Sequence, residues 1–174
     1  MADREATFGL VAERARLCKA RLYVETGCFR GNVEGDGQST QRFAKLARET
    51  GGMLVSIDVS IDNICCARSA LPEELRPFVV FVCADSCAAL AMLAGPIDVL
   101  YLDSLDYVES DSEPSQFHQL AEARMAFPLL SSASTVLLDD CGLPGGGKAR
   151  FSHEFLVEQG CRLVADAYQR VYEY

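Results

Sequence analysis

Five short apolar runs recur along the chain, each ending at or near an acid. They are LYVET at 22–26, MLVSID at 53–58, FVVFVC at 78–83, DVLYLD at 98–103 and TVLLDD at 135–140. Nearly continuous apolar runs of this length suit parallel strands covered on both faces. Between them the spacing changes to that of helices. Phe43, Leu46 and Ala47 fall at i, i+3 and i+4, and Ile61, Ile64 and Cys65 repeat the pattern. Phe117, Leu120, Ala121 and Met125 predict a longer helix, with Pro114 near its start and Pro128 near its end. Phe8, Val11, Ala12 and Ala15 share one face and predict an N-terminal helix over 4–19.

Strands alternating with helices give an open, doubly wound α/β sheet. In the tail, Arg162–Ala165 and Tyr168–Tyr172 read as two further strands. The gap between them is too short for a parallel crossover, so they form an antiparallel hairpin. The expected architecture is five parallel strands closed by that hairpin, in a single domain over 1–174, with no internal repeat.

Ligands of such sheets bind at the carboxyl ends of the strands. Glu25, Asp58 and Asp103 close three of the runs, Asp139 and Asp140 close the fifth, and Asp85 follows the third. One such acid is well explained as a helix cap; acids at five successive strand ends point to a site. The segment from Val24 to Thr40, VETGCFRGNVEGDGQST, carries Gly27, Gly31, Gly35 and Gly37, which permit tight turns and a close ligand. The helix starting near Ser39 or Thr40 offers free N–H groups. Phe29 breaks a GxGxxG pattern, and Glu34 and Asp36 are poor neighbours for a phosphate. A ligand with an ammonium, a sulfonium or hydroxyls fits better. Asp58 can accept both hydroxyls of a ribose, or cap a helix beginning near Ser60. Asp85 and Ser86 can reach an adenine amino group, or cap in their turn.

Charge and cysteines narrow the picture. A net charge of −9 opposes a nucleic-acid partner. No apolar run reaches the ~18 residues of a membrane span, and MADREATFGL lacks a signal peptide's apolar core, so a cytoplasmic location is expected. The eight cysteines have no CxxC pairing and read as reduced thiols in small buried positions. Cys28 and Cys141 stand apart, since each lies in a loop near the acids. Tyr168, Tyr172 and Tyr174 offer an edge for pairing into a homodimer. CGLPGGGKARF, after the fifth run, is no Walker A motif, because Lys148 is followed by alanine. It reads as a loop able to move over an acceptor site, with Lys148 and Arg150 opening the next helix or meeting an acidic acceptor.

Taken together, ETGCFRG, SIDVS, CADS, VLYLDS and VLLDD resemble the successive motifs of class I S-adenosylmethionine-dependent methyltransferases, over Leu22 to about Tyr172. The resemblance implies a Rossmann-like sheet of seven strands, the last antiparallel. It implies cofactor contacts from Glu25, Gly27, Cys28, Phe29, Gly31, Ser39, Asp58, Val59, Asp85, Ser86 and Asp103. Within that superfamily the chain is more similar to small catechol-type O-methyltransferases. These hold a divalent cation with acids at the places of Asp103, Asp139 and Asp140. The expected ion is Mg²⁺, with Ca²⁺ or Mn²⁺ as alternatives, because three converging carboxylates favour a hard cation. Such an ion would lower the pKa of an acceptor hydroxyl and align it. The catechol-type lysine base is missing from Asp103-Ser104-Leu105-Asp106. Asp106 or His118 is then the base, or the metal suffices. The function implied is methyl transfer to a small-molecule acceptor through an oxygen nucleophile. A cofactor-binding protein without turnover and a nicotinamide-dependent oxidoreductase are the alternatives.

Overall fold

The computed structural model describes residues 2–31 and 38–174. The strands are β1 (Leu22–Thr26), β2 (Met53–Asp58), β3 (Val79–Cys83), β4 (Ile97–Leu102), β5 (Leu130–Leu138), β6 (Arg162–Asp166) and β7 (Arg170–Glu173). The helices are α1 (Ala2–Leu17), α2 (Ser39–Thr50), α3 (Ile61–Ala70), α4 (Ser86–Met92), α5 (Glu113–Ala126) and α6 (Arg150–Glu158). All seven strands join one sheet in the order β3-β2-β1-β4-β5-β7-β6. β1 to β5 are parallel, and β7 runs antiparallel between β5 and β6. This is the Rossmann-like arrangement that the strand pattern and the tail hairpin imply. The chain leaves β1 toward β2 on one side and returns to β4 on the other, which opens a crevice at the carboxyl ends of β1 and β4.

The central strands β1 and β4 are largely apolar because both faces are covered. Tyr23 and Tyr101 point to the side where α1 and α2 lay down Phe8, Val11, Phe43 and Leu46. Val24, Leu100, Val136 and Leu138 point to the other side, against Leu90, Ala123 and Leu156 of α4, α5 and α6. Phe8, Phe43 and Tyr101 meet with ring centroids 5.5–5.9 Å apart. Burying a side chain of this size contributes about 1.5–3 kcal/mol, so this cluster ties α1 firmly to the sheet.

Several elements depart from the pattern-based reading. β5 begins at Leu130 rather than at Thr135, because LSSAS is polar and half exposed and carries no apolar signal. α5 forms where expected, but its stripe is turned outward. Phe117 and Met125 are exposed, whereas Gln116, Gln119 and Glu122 are fully buried. Phe117 instead stacks on Phe151 of α6, at 4.7 Å between centroids. Polar side chains face inward because strand-end carbonyls and loop carbonyls await donors there. In α3, Ile64 and Ala67 are buried while Ile61 and Cys65 are exposed. Of the cysteines, Cys28, Cys141 and Cys161 are buried and the other five are not, and all eight are free thiols. Burial pushes the Cys28 thiol well up and the Cys141 thiol up to about 12, so neither is a reactive thiolate.

Candidate functional site

The loop after β1 is held by its neighbours on both sides. Gly27 has φ 81 and donates its N–H to the Ile57 carbonyl at 2.8 Å. A Cβ there would sit 2.3 Å from the Asp103 carbonyl oxygen, so only glycine lets the β1 and β4 loops abut. The Cys28 N–H donates to Asp58 Oδ2 at 3.1 Å, and the Phe29 N–H to Thr40 Oγ1 at 3.0 Å, near the start of α2 at Ser39. Gly31 also takes a positive φ. Glu34, Gly35, Asp36 and Gly37 lie outside the described residues. Glu25 is fully buried and accepts from Ser56 Oγ at 2.6 Å.

At the end of β2, Asp58 gathers the Ser60 N–H at 2.8 Å and Asn63 Nδ2 at 3.2 Å on Oδ1, besides the Cys28 amide on Oδ2. Ser60 caps α3, so Asp58 does not serve as that helix's N-cap. Asp85 is the N-cap of α4 and accepts from the Ala88 N–H at 2.9 Å, the role left open by the sequence. Asp58, Asp85, Ser86, Gly27, Ser104 and His118 line one cavity of about 200 Å³, with the exposed side chains of Val59 and Leu105 at its mouth. Ser104 Oγ is buried and has no hydrogen-bond partner among the described residues. His118 Nε2 lies 3.0 Å from Ser86 Oγ and 3.5 Å from the buried Glu122 carboxylate. That carboxylate raises the imidazole pKa, against the opposing effect of burial. A second hollow of about 280 Å³, lined by Phe29, Thr40 and Ala67 among others, includes no strand-end acid.

The acids expected as metal ligands do converge, but protein cations hold them. Lys148 Nζ lies 2.6 Å from Asp103 Oδ1 and 2.9 Å from Asp140 Oδ2. Arg4 of α1 reaches Asp139 Oδ1 at 3.0 Å and stacks over Tyr168, 4.7 Å from its centroid. Asp139 also accepts from the Asp140 N–H, from Tyr101 and from Gln169 Nε2. Two donors to each oxygen exhaust the lone pairs of a carboxylate. Tyr101 also donates to Asp103 Oδ2 at 3.1 Å, and Tyr168 donates to Asp140. Burial, then Asp139, pushes the Asp103 carboxyl above the usual range, with Lys148 pulling it back. Burial opposes the Lys148 charge, but Asp103 and Asp140 outweigh it and keep the ammonium protonated. For Asp140 burial also opposes ionisation, and Lys148 and Tyr168 overcome it. Among the described residues no group of three or more His, Cys, Asp or Glu is arranged to hold a metal ion. The expected set of Asp103, Asp139 and Asp140 therefore does not fit a divalent cation as arranged. Asp106 stands apart, exposed and paired with Arg30 at 2.8 Å.

Most of the chain matches one family model. The model described as "Methyltransferase domain" matches residues 24–141, well over half of the chain. The chain belongs to this methyltransferase family. A methyltransferase from Geobacter sulfurreducens is 19% identical with a TM-score of 0.67; the match covers 97% of this chain and 78% of that one. The O-methyltransferase NovP matches at 14% identity and a TM-score of 0.65, again over 97% and 78%. An rRNA methylase from Streptococcus thermophilus matches at 10% identity and 0.60, over 97% and 93%. At these identities the structures share the fold alone. A search of curated proteins found no match.

A methyltransferase of this fold implies S-adenosylmethionine, and the cavity residues fit that group. Ser104 offers an orphaned hydroxyl inside the cavity, and Gly27 lets the loops after β1 and β4 close together beside it. At about 200 Å³ the cavity is smaller than the ~300–1,000 Å³ of pockets that enclose a drug-sized ligand. It suits one part of a nucleoside cofactor. The residues that pattern reading missed are the ones that fasten the rim. Gln119 donates to the Leu102 carbonyl at 3.3 Å and accepts from Ser152 at 2.7 Å; Gln116 donates to the Gly147 carbonyl at 2.9 Å. Their i, i+3 spacing with Glu122 was the available signal, a polar stripe where a solvated face is the usual reading. Arg4 gave no local signal at all.

Proposed function

We propose that the chain, as one domain over 1–174, transfers a methyl group from S-adenosylmethionine to a small-molecule acceptor through an oxygen nucleophile. The observation that supports this most is the cavity formed where the loops after β1 to β4 meet, with Ser104 Oγ unpartnered inside it. When bound, the cofactor supplies an electrophilic methyl group on a sulfonium. In this reading Asp58 faces the ribose hydroxyls from a carboxylate already held by two backbone amides. Asp85, Ser86 and Val59 border the base, and Ser104 accepts or donates one further bond. Gly27, Cys28, Phe29 and Gly31 carry the backbone past the cofactor toward Ser39 at the start of α2, and Glu25 braces that turn from below.

With the cofactor bound, an acceptor oxygen would take the sulfonium methyl, S-adenosylhomocysteine would leave as a neutral thioether, and the acceptor's proton would pass to solvent. Catalysis of this displacement rests on positioning and on a nucleophile free of its proton. Asp103 is the best placed to meet the acceptor. Its side chain is 29% exposed, against 1% for Asp139 and 17% for Asp140. His118 contributes to the cavity wall, and Asp106 stays at the surface with Arg30. Alignment by a divalent metal was the expectation from the catechol-type resemblance; the ion pairs around Asp103, Asp139 and Asp140 argue against it, and no step here uses one. A net charge of −9 favours a small acceptor over a nucleic acid, the substrate named for the rRNA methylase of the same fold.

Calorimetric titration tests this reading with S-adenosylmethionine, S-adenosylhomocysteine and NAD. Both sulfur nucleosides should bind and NAD should not. Binding of NAD with neither sulfur nucleoside would return the chain to the oxidoreductase alternative.

A further inference from the structure

The loop that supplies Lys148 is built to bring one charge back to the strand ends. Gly147 takes φ 60, and a Cβ there would lie 1.9 Å from the Asp140 carbonyl oxygen, so the chain can double back only at a glycine. The Lys148 N–H then donates to that same carbonyl at 3.1 Å. From α5, Gln116 holds the Gly147 carbonyl, and Tyr107 donates to the Pro144 carbonyl at 2.5 Å. The Lys148 side chain is 3% exposed, and its ammonium bridges Asp103 and Asp140. Arg4 meets Asp139 and Asp140 from the opposite side. A lysine thus reaches the acid after β4, but from a distant loop, and as a held cation rather than a base.

We infer that Lys148 is a built-in substitute for a divalent cation: its ammonium fills the position between the carboxylates after β4 and β5, and this methyltransferase works without a metal ion. The inference deepens the proposed function and rests on it for the reaction, though not for the occupancy. Mechanically, a permanent internal charge fixes the Asp103 carboxylate without any ion from solution, so Lys148 is a positioning residue. It also removes chelation as a means of holding the acceptor, which points to acceptors that present a single nucleophilic atom rather than a pair of adjacent oxygens.

The test is titration of Mn²⁺ into wild type and into Lys148→Met, with S-adenosylhomocysteine affinity measured in parallel with and without EDTA. Wild type should bind Mn²⁺ no more tightly than about 300 µM, in the range of weak all-oxygen sites. Its nucleoside affinity should be indifferent to EDTA. Folded Lys148→Met should bind Mn²⁺ at least tenfold more tightly than wild type, and adding Asp103→Asn should abolish that gain. A merely structural lysine would give no such gain. Tighter Mn²⁺ binding by wild type, or a folded Lys148→Met without the gain, overturns the inference. Should Lys148→Met fail to fold, Lys148→Gln takes its place, and the wild-type titration decides alone if both fail. Loss of nucleoside binding in every buffer would sink the proposed function and leave the manganese result to be read separately.

Discussion

The acids at the two halves of the strand-end rim do different work. After β4 and β5, each carboxylate is met by a cation or a phenol, and Asp139 has its lone pairs filled by Arg4, Tyr101, Gln169 and the next backbone amide. After β2 and β3, Asp58 accepts from the Cys28 and Ser60 amides, the Cys28 thiol and Asn63 Nδ2, Asp85 accepts from the Ala88 amide, and both border a cavity that holds an unpartnered hydroxyl. One half takes its counter-charge from side chains of α1 and of the loop before α6; the other is held by uncharged donors. Acids at strand ends thus say that charge is concentrated there, and only their partners say whether a ligand supplies the counter-charge.

The closed half breaks most readily at Lys148. Lys148→Met removes a buried ammonium and leaves the part-buried Asp103 and Asp140 without their shared cation; breaking such a pair from one side costs about 3–5 kcal/mol. For a chain of this size that corresponds to a melting temperature lower by about 10 °C. Urea denaturation of wild type and variant measures it. A loss below about 1 kcal/mol would place Lys148 with exposed ion pairs, and the contrast between the two halves would collapse.

What the sequence made legible follows from what is local. LYVET and MLVSID match β1 and β2 residue for residue, because a strand covered on both faces is mostly apolar and stands out against polar flanks. The acids after the strands were visible for the same reason, as sharp ends to apolar runs. Lys148 was visible as a residue of a glycine-rich loop, but its destination was not. That depends on Gly147 turning the chain back onto Asp140, a contact set by backbone geometry. Arg4 joins Asp139 across 135 positions of sequence, and no local pattern carries such a pairing. On α5 the amphipathic rule failed outright. Gln116, Gln119 and Glu122 turn inward to serve carbonyls and an imidazole, and burial there follows hydrogen-bonding demand rather than hydropathy.

In the other half the effect should fall on binding as well as on folding. Asp58→Asn keeps the shape but replaces one acceptor with an amide donor. With the Cys28 and Ser60 N–H groups both aimed at this side chain, one now meets a donor or the amide turns away from the ligand. The expected outcome is a loss of about tenfold in S-adenosylhomocysteine affinity, equivalent to about 1.4 kcal/mol, with the urea midpoint lowered by the unmet N–H group. An unchanged affinity by calorimetry would remove Asp58 from the proposed cofactor site.

The smallest effect belongs to His118, which stands on the cavity wall and sharpens the contrast from inside. Hydrogen bonding to Glu122 raises its pKa, burial lowers it, and the charges of Glu122 and Asp85 add to the rise while Lys148 opposes it. The net direction is upward, so the folded protein holds the imidazolium proton more tightly than the unfolded chain does. The stabilisation is then fully present below the unfolded value of about 6.5 and is lost as pH rises through the higher folded value. Glu122 has no other partner among the described residues, so the charged pair is its main compensation at low pH. Urea midpoints of wild type and His118→Gln, compared at pH 6 and pH 9, should differ more at pH 6. A difference that stays constant across that interval would mean that the imidazole is neutral throughout and that Ser86, not Glu122, sets its state.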